Sequence, residues 1–97
     1  MMGTYPMTTE KYETDEIAQI RKAATEAGIP PSGSNLWGTA LSWITPRAVA
    51  TVTAWEDTCE TIWTATQIQS GQCDQWGTDR SPEQRTDAIR RLAKLIS

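Results

Sequence analysis

Histidine is absent from the sequence, which removes the commonest general base and the commonest metal ligand of proteins. Only two cysteines are present, Cys59 and Cys73, and without histidine they are too few for a zinc site. The pair Gly33-Ser34 is too sparse for a loop that cradles the phosphates of a nucleotide. We therefore expect a protein that is not an enzyme and that uses no catalytic residue, no metal ion and no cofactor.

The sequence also lacks a long apolar run. No stretch approaches the length that spans a membrane, and residues 1–20 contain no apolar core of a secretory signal. We therefore expect a cytoplasmic protein that makes no membrane contact. Because thiols stay reduced in that compartment, Cys59 and Cys73 are expected to be free, with a disulfide between them as the alternative.

Phenylalanine is absent too, and apolar residues make up 38% of the chain. Much of the core must then consist of tryptophan, whose ring N–H normally needs an acceptor when it is buried. Five tryptophans are more than one domain of 97 residues easily hides, so we expect some of them to form a binding surface. The five are Trp37, Trp43, Trp55, Trp63 and Trp76.

Negative charge dominates most of the chain. The net charge is −3, but residues 1–74 hold nine acidic and four basic residues, whereas residues 75–97 hold three acidic and five basic ones. The first segment therefore repels nucleic acid, and only the second could attract it.

Capping signals mark a first and a last helix. Thr14 can cap a helix that ends at Gly28. Ser81, Pro82 and Gln84 have the spacing of a capping box with proline at the first helical position. The predicted fold is all-α, a compact bundle of about four helices around a long central helix. The helices span 14–27, 35–44, 46–69 and 82–96, a flexible N-terminal leader covers 1–9, and a single helical domain covers 10–97.

The segment 46–69 is the central helix of this prediction. Its apolar side chains fall within about one third of a helix circumference, the width of a core-facing stripe. An acidic flank lies beside this stripe, and Cys59 is expected inside it as a small buried residue. The stripe consists of Ala48, Val52, Trp55, Cys59, Ile62, Trp63 and Thr66, and the flank of Glu56, Asp57 and Glu60.

An α+β arrangement with a β-hairpin in 47–69 is the alternative, because threonine and β-branched residues are frequent there. We favour the helix because strand alternation puts Thr64 and Thr66 beside Ile62 and Ile68, which is a poor buried face. Residues 72–80 are expected to form a loop in which Trp76 covers the core.

Two short patterns resemble known families. Residues 24–29 resemble the first helix and turn of a helix-turn-helix protein, but the following segment has a longer turn and no basic residue in 35–44 to contact DNA. The chain length and the two Trp-Gly pairs resemble small WXG-type helical hairpins, but the defining Trp-x-Gly is absent. We assign the chain to neither family.

The leading functional hypothesis is a small acidic protein-protein interaction module, such as an adaptor, inhibitor or assembly factor. Tryptophan and arginine dominate binding hot spots, and the acidic flank suits a basic surface. The partner is therefore expected to be another protein, of a basic nucleic-acid-binding kind, as for a phage-type counter-defence inhibitor. The candidate partner-binding residues are Trp37, Trp43, Glu56, Asp57, Glu60, Trp63, Trp76 and Arg85.

Two alternatives remain. A DNA-binding regulatory domain could use the basic last helix, with Arg90, Arg91 and Lys94 on its exposed face. A tryptophan-lined pocket could bind a small apolar ligand. Arg85 lies in line with the apolar stripe of the last helix, so we expect it to snorkel; the alternative is that it pairs with Glu56, Glu60 or an acidic partner. The oligomeric state is left open.

Overall fold

A computed structural model describes residues 13–97, and this part of the chain contains two helices and five strands. Both helices pack on the same five-stranded antiparallel sheet. In chain order the elements are α1 (Asp15–Glu26), β1 (Gly33–Ser34), β2 (Ala40–Ile44), β3 (Ala48–Thr53), β4 (Thr61–Gln67), β5 (Cys73–Thr78) and α2 (Pro82–Ile96).

The sheet is a meander in which each strand pairs with the next one along the chain. In the central hairpin Thr51 of β3 lies opposite Thr64 of β4, and Thr64 lies opposite Gln75 of β5. Small turns connect β2 to β3 and β4 to β5 at one end of the sheet. The longer connection 54–60 joins β3 to β4 at the other end.

The capping residues start both helices as the sequence predicts. The Thr14 hydroxyl accepts a hydrogen bond from the Ile17 N–H at 3.3 Å, and the Ser81 hydroxyl accepts one from the Gln84 N–H at 3.2 Å. These contacts satisfy N–H groups that have no partner inside the helix. The helices predicted at 14–27 and 82–96 are therefore confirmed as α1 and α2.

The core lies between the helices and one face of the sheet. On that face Trp43 and Trp63 are buried, and each finds an acceptor for its ring N–H: the Ile29 carbonyl at 2.7 Å and the Thr78 hydroxyl at 2.9 Å. The other buried apolar side chains are Ile17, Ile20, Ala24, Leu41, Ala48, Ala50, Val52, Ala54, Ala65, Ala88, Ile89, Leu92 and Ile96.

The all-α bundle is wrong. The segment predicted as a helix at 35–44 is a turn followed by β2, and the predicted central helix at 46–69 contains the hairpin of β3 and β4. The alternative prediction, a hairpin within 47–69, describes this segment. The predicted loop at 72–80 contains β5. Strands form here because buried residues alternate with partly exposed ones, as in Ala48, Ala50 and Val52.

Both cysteines are free thiols, as the sequence predicts, but Cys59 does not lie in the core. Cys59 lies in the β3–β4 connection and Cys73 in β5, and both thiols are free and exposed. Cys59 is therefore not a buried core residue. The predicted leader at 1–9 lies outside the described residues. None of the helices in 13–97 is long and apolar enough to cross a membrane.

Candidate functional site

Two chain connections lie side by side at one end of the sheet. They are residues 35–39, between β1 and β2, and residues 54–60, between β3 and β4. The Ala54 N–H donates to the Thr39 carbonyl at 2.8 Å and joins them. The first residues of both helices lie at the same end, because Thr14 and Arg80 both contact the 54–60 connection. We call this region the loop end.

Large apolar side chains protrude from the loop end. Leu36 is 85% exposed, Trp37 68% and Trp55 50%. A single exposed apolar residue needs no explanation, but several together on a soluble domain commonly mark an interaction surface. We call these three residues the apolar tip.

A hydrogen-bonded turn holds the first two residues of the tip. The Asn35 side-chain oxygen accepts hydrogen bonds from the Thr39 N–H at 2.9 Å and the Ala40 N–H at 3.2 Å. The Asn35 side-chain nitrogen donates to the Thr39 hydroxyl at 2.7 Å. Gly38 completes the turn with a φ of 70°, which a residue with a Cβ rarely adopts. The backbone around Leu36 and Trp37 is thus fixed, and their side chains are left in solvent.

The backbone of Trp55 is anchored as well. Its carbonyl accepts a hydrogen bond from the Arg80 guanidinium at 2.6 Å, and the same guanidinium donates to the Thr58 hydroxyl at 3.3 Å. The Thr14 hydroxyl donates to the neighbouring Ala54 carbonyl at 3.2 Å. Because the beginnings of α1 and α2 hold this loop, the position of Trp55 depends on both helices.

Negative charge follows Trp55 of the apolar tip along the chain. Glu56, Asp57 and Glu60 are exposed in the same connection as Trp55, and none of them forms an ion pair with a basic residue of 13–97. Asp79 precedes α2 at this end, and a hydrogen bond from the Ser81 backbone N–H lowers its pKa, so that it stays ionised. The loop end therefore combines exposed apolar area with an acidic margin.

Four of the predicted partner-binding residues meet at this end: Trp37, Glu56, Asp57 and Glu60. Trp43 and Trp63 are buried in the core and offer no surface to a partner. Trp76 is half-buried on β5, where its ring stacks on Trp63 with a centroid separation of 6.1 Å. The Arg91 guanidinium lies 4.1 Å from the centre of the Trp76 ring.

Arg85 is engaged inside the molecule. It donates to both carboxylate oxygens of Glu16 at 3.0 and 2.7 Å, and this ion pair joins α2 to α1. The hydrogen bonds with Glu16 raise the pKa of Arg85, so its guanidinium remains charged. Its partner is therefore neither Glu56 nor Glu60, the two acids considered from the sequence.

The sequence prediction missed Leu36 and Trp55. Leu36 lies in the segment 35–44, for which the sequence predicts a helix, and Trp55 lies in the predicted core-facing stripe. For Leu36 a signal was available: Asn35 and Gly38 flank the Leu36-Trp37 pair, as they do in many turns. No comparable signal marks Trp55 as exposed.

The described residues contain no group of three or more histidine, cysteine or acidic side chains that could hold a metal ion. No protein-family model matches the chain, and no curated protein or solved structure shows significant similarity to it. The loop end offers a partner exposed apolar area and negative charge.

Proposed function

We propose that this protein is a non-enzymatic binding module whose apolar tip inserts into a pocket on a partner protein. The exposure of Leu36, Trp37 and Trp55 on two hydrogen-bonded loops carries this proposal. These side chains contribute nothing to the core, so their retention in water suits a protein that buries them elsewhere.

Burial of the tip can supply a useful binding free energy. A tryptophan buries roughly 150–250 Å² and gains about 25 cal/mol per Å² of apolar area, so each of Trp37 and Trp55 can contribute a few kcal/mol. The fixed loops lower the entropic cost of binding because their backbone is already ordered. Tryptophan is one of the residues most enriched in binding hot spots, which cluster near the centre of an interface.

The acidic margin selects the kind of partner. Glu56, Asp57 and Glu60 favour a basic surface around the pocket that receives the tip, and they repel nucleic acid. A protein that itself binds nucleic acid presents such a basic surface, which is why we propose this class of partner. Most of the charge effect should appear in the association rate and in its dependence on salt.

The other two functions have weaker support. On α2, Arg90 pairs with Asp87 at 3.1 Å and Arg85 pairs with Glu16 at 2.7 Å, so fewer basic groups are available for phosphates. Trp43 and Trp63 pack in the core instead of lining a pocket. The groove beside Trp76 holds about 230 Å³, which is below the size of most small-molecule sites.

A capture experiment with matched variants tests the apolar tip. The full chain is tethered, a lysate of its own host cells is passed over it, and bound proteins are identified by mass spectrometry. We expect the double variant Trp37→Ala/Trp55→Ala to bind a captured partner at least about thirtyfold more weakly, since hot-spot tryptophans contribute about 2 kcal/mol or more.

The control is Ile44→Ala/Ile68→Ala, which removes apolar side chains of similar exposure, 66% and 55%, at the opposite end of the sheet. Circular dichroism of each variant verifies that the fold is retained. If the two double variants lose binding equally, or neither does, the apolar tip is not the binding surface.

Charge reversal tests the acidic margin separately. The triple variant Glu56→Lys/Asp57→Lys/Glu60→Lys should bind the same partner more slowly, and the difference from the wild-type rate should shrink as salt is added. Glu26→Lys, at the exposed C-terminal end of α1, is the control and should leave the rate unchanged. An unaltered rate for the triple variant would contradict a basic partner.

A further inference from the structure

The two edges of the sheet differ in length. At one edge β1 has only two residues, whereas at the other edge β5 has six and no strand beyond it in the described chain. Natural sheets usually protect a long edge with charged side chains, proline or a bulge, and β5 (CDQWGT) contains a single charged residue, Asp74, and no proline. An edge of this length can accept another strand when that strand brings a base to Asp74.

The outward-facing backbone groups of β5 can be identified from its pairing with β4. The Gln67 N–H donates to the Gln72 carbonyl at 2.8 Å, so Gln72 directs its backbone groups toward β4. Since these directions alternate along an antiparallel strand, Cys73, Gln75 and Gly77 direct their N–H and carbonyl groups away from the sheet. These three residues form the open hydrogen-bonding edge.

Charges of opposite sign flank this edge on the helix-covered side. Asp74 and Trp76 project to that side, and Arg91 of α2 lies over the Trp76 ring. Neither Asp74 nor Arg91 forms an ion pair with another residue in 13–97. One edge thus presents an unpaired acid and an unpaired base two strand positions apart.

We propose that β5 pairs with β5 of a second copy, antiparallel and about a two-fold axis at Gln75, to give a symmetric dimer with one continuous sheet. In this register Gln75 faces Gln75 of the second copy, and Cys73 faces its Gly77. Asp74 then lies opposite Trp76 of the second copy, within reach of the Arg91 that covers that ring. The two-fold symmetry forms this Asp74–Arg91 ion pair twice, once with Asp74 from each copy.

Charge disfavours the neighbouring registers. An axis at Asp74 sets two carboxylates directly opposite each other, and an axis at Trp76 brings the two Arg91 side chains together. An axis at Asp74 also leaves the outward-facing Gly77 without a partner inside β5, and an axis at Trp76 leaves Cys73 without one. The axis at Gln75 pairs every outward-facing group of β5 and matches acid with base.

The helices leave room for this arrangement. α2 makes most of its sheet contacts with β3 and β4, so it lies at least one strand inside the edge. The two β4 strands would be three strand spacings apart, about 14 Å, which exceeds the diameter of a helix, about 10–12 Å with side chains. The space between the α2 helices of the two copies can hold the Asp74 and Arg91 side chains.

Sedimentation of the full chain over a range of concentrations measures the proposed association. We expect a reversible dimer of twice the monomer mass. Asp74→Lys and Arg91→Glu should each raise the dimer dissociation constant about tenfold, and the double variant should return to within about threefold of wild type. Arg90→Glu and Asp57→Lys make the same charge changes away from β5 and should leave the dimer unchanged.

A cross-link tests the register. In the background Cys59→Ser/Cys73→Ser, the substitution Gln75→Cys places two thiols at the axis, where Cα atoms of a hydrogen-bonded pair are about 5.5 Å apart and can form a disulfide. We expect a covalent dimer on mild oxidation. A chain that stays monomeric at every concentration, or a dimer unaffected by the Asp74 and Arg91 changes, overturns the proposal. The substitutions Asp57→Lys and Trp37→Ala/Trp55→Ala leave β5 intact. The tests of the dimer and of the apolar tip therefore change separate residues, and neither dimer result bears on the tip.

Discussion

The two faces of the sheet differ in burial along the same strands. Toward the helices, β4 presents Trp63 and Ala65, which are buried; toward solvent it presents Thr64 and Thr66. On the solvent face Thr51, Thr64 and Gln75 form one row across three strands. The open face is mixed: threonine, serine and glutamine side chains share it with Ile44 and Val49, which are 66% and 42% exposed, while the covered face supplies the buried core. Stability is therefore concentrated on one face, and the surfaces proposed for binding lie at an end and an edge of the sheet.

On the covered face, large and small residues have different tasks. Trp43 and Trp63 fill the space between the layers, and Ala48, Ala50 and Ala65 let the helices approach the sheet closely. This division explains how a chain without phenylalanine builds a core from few large side chains.

The largest expected effect contrasts two adjacent residues of β4. Trp63→Ala removes a fully buried ring and should lower the free energy of unfolding by about 4 kcal/mol, a large part of what a small domain has. Thr64→Ala, on the open face, should change it by less than about 1 kcal/mol. Urea denaturation followed by circular dichroism measures both values. Similar losses for the two variants would show that the open face is covered in solution.

The ion pair between the helices should have the next largest effect. Arg85→Ala leaves Glu16 buried without its partner and should cost about 3 kcal/mol of unfolding free energy. The double variant Glu16→Leu/Arg85→Leu removes both charges and should recover most of that loss. If the double variant is as unstable as Arg85→Ala, the pair acts through its packing instead of its charge.

The smallest effect is expected on the open face. Thr51→Val/Thr64→Val keeps the shape of two paired side chains and removes their hydroxyls, and it should change the unfolding free energy by no more than about 0.5 kcal/mol. Thermal and urea unfolding measure the change. A loss well above 1 kcal/mol would mean that these hydroxyls bind a covering group, and the contrast between the faces would then be incomplete.

The sequence predicted the helices well because their ends carry local signals. Thr14 and Ser81 cap them through side-chain hydrogen bonds within one turn, so no tertiary contact is needed to recognise them. The preference for a helix over a hairpin in 47–69 depends on which face of the strand 61–67 is buried. Thr64 and Thr66 do make a poor buried face, but they are on the solvent side. The alternate set, Thr61, Trp63 and Ala65, is the buried one.

The candidate site was partly predictable. Glu56, Asp57 and Glu60 are exposed whether 54–60 is a helix or a loop, because free carboxylates avoid burial. Tryptophan gives no such guidance, since its ring suits both cores and binding surfaces. Which of the five tryptophans face solvent depends on how the strands pair. Trp43 and Trp63 occupy covered positions of the sheet, and Trp37 and Trp55 lie in its connections.

The meander has a consequence for the order of folding. Every strand pairs with its neighbour in the chain, so the sheet can form from contacts that close only short loops. The Glu16–Arg85 ion pair, by contrast, joins residues 69 positions apart. We therefore expect the hairpins to form early and the contact between α1 and α2 to form late. Because the loop that carries Trp55 is held by the beginnings of both helices, its final geometry would then be reached only in the last step of folding.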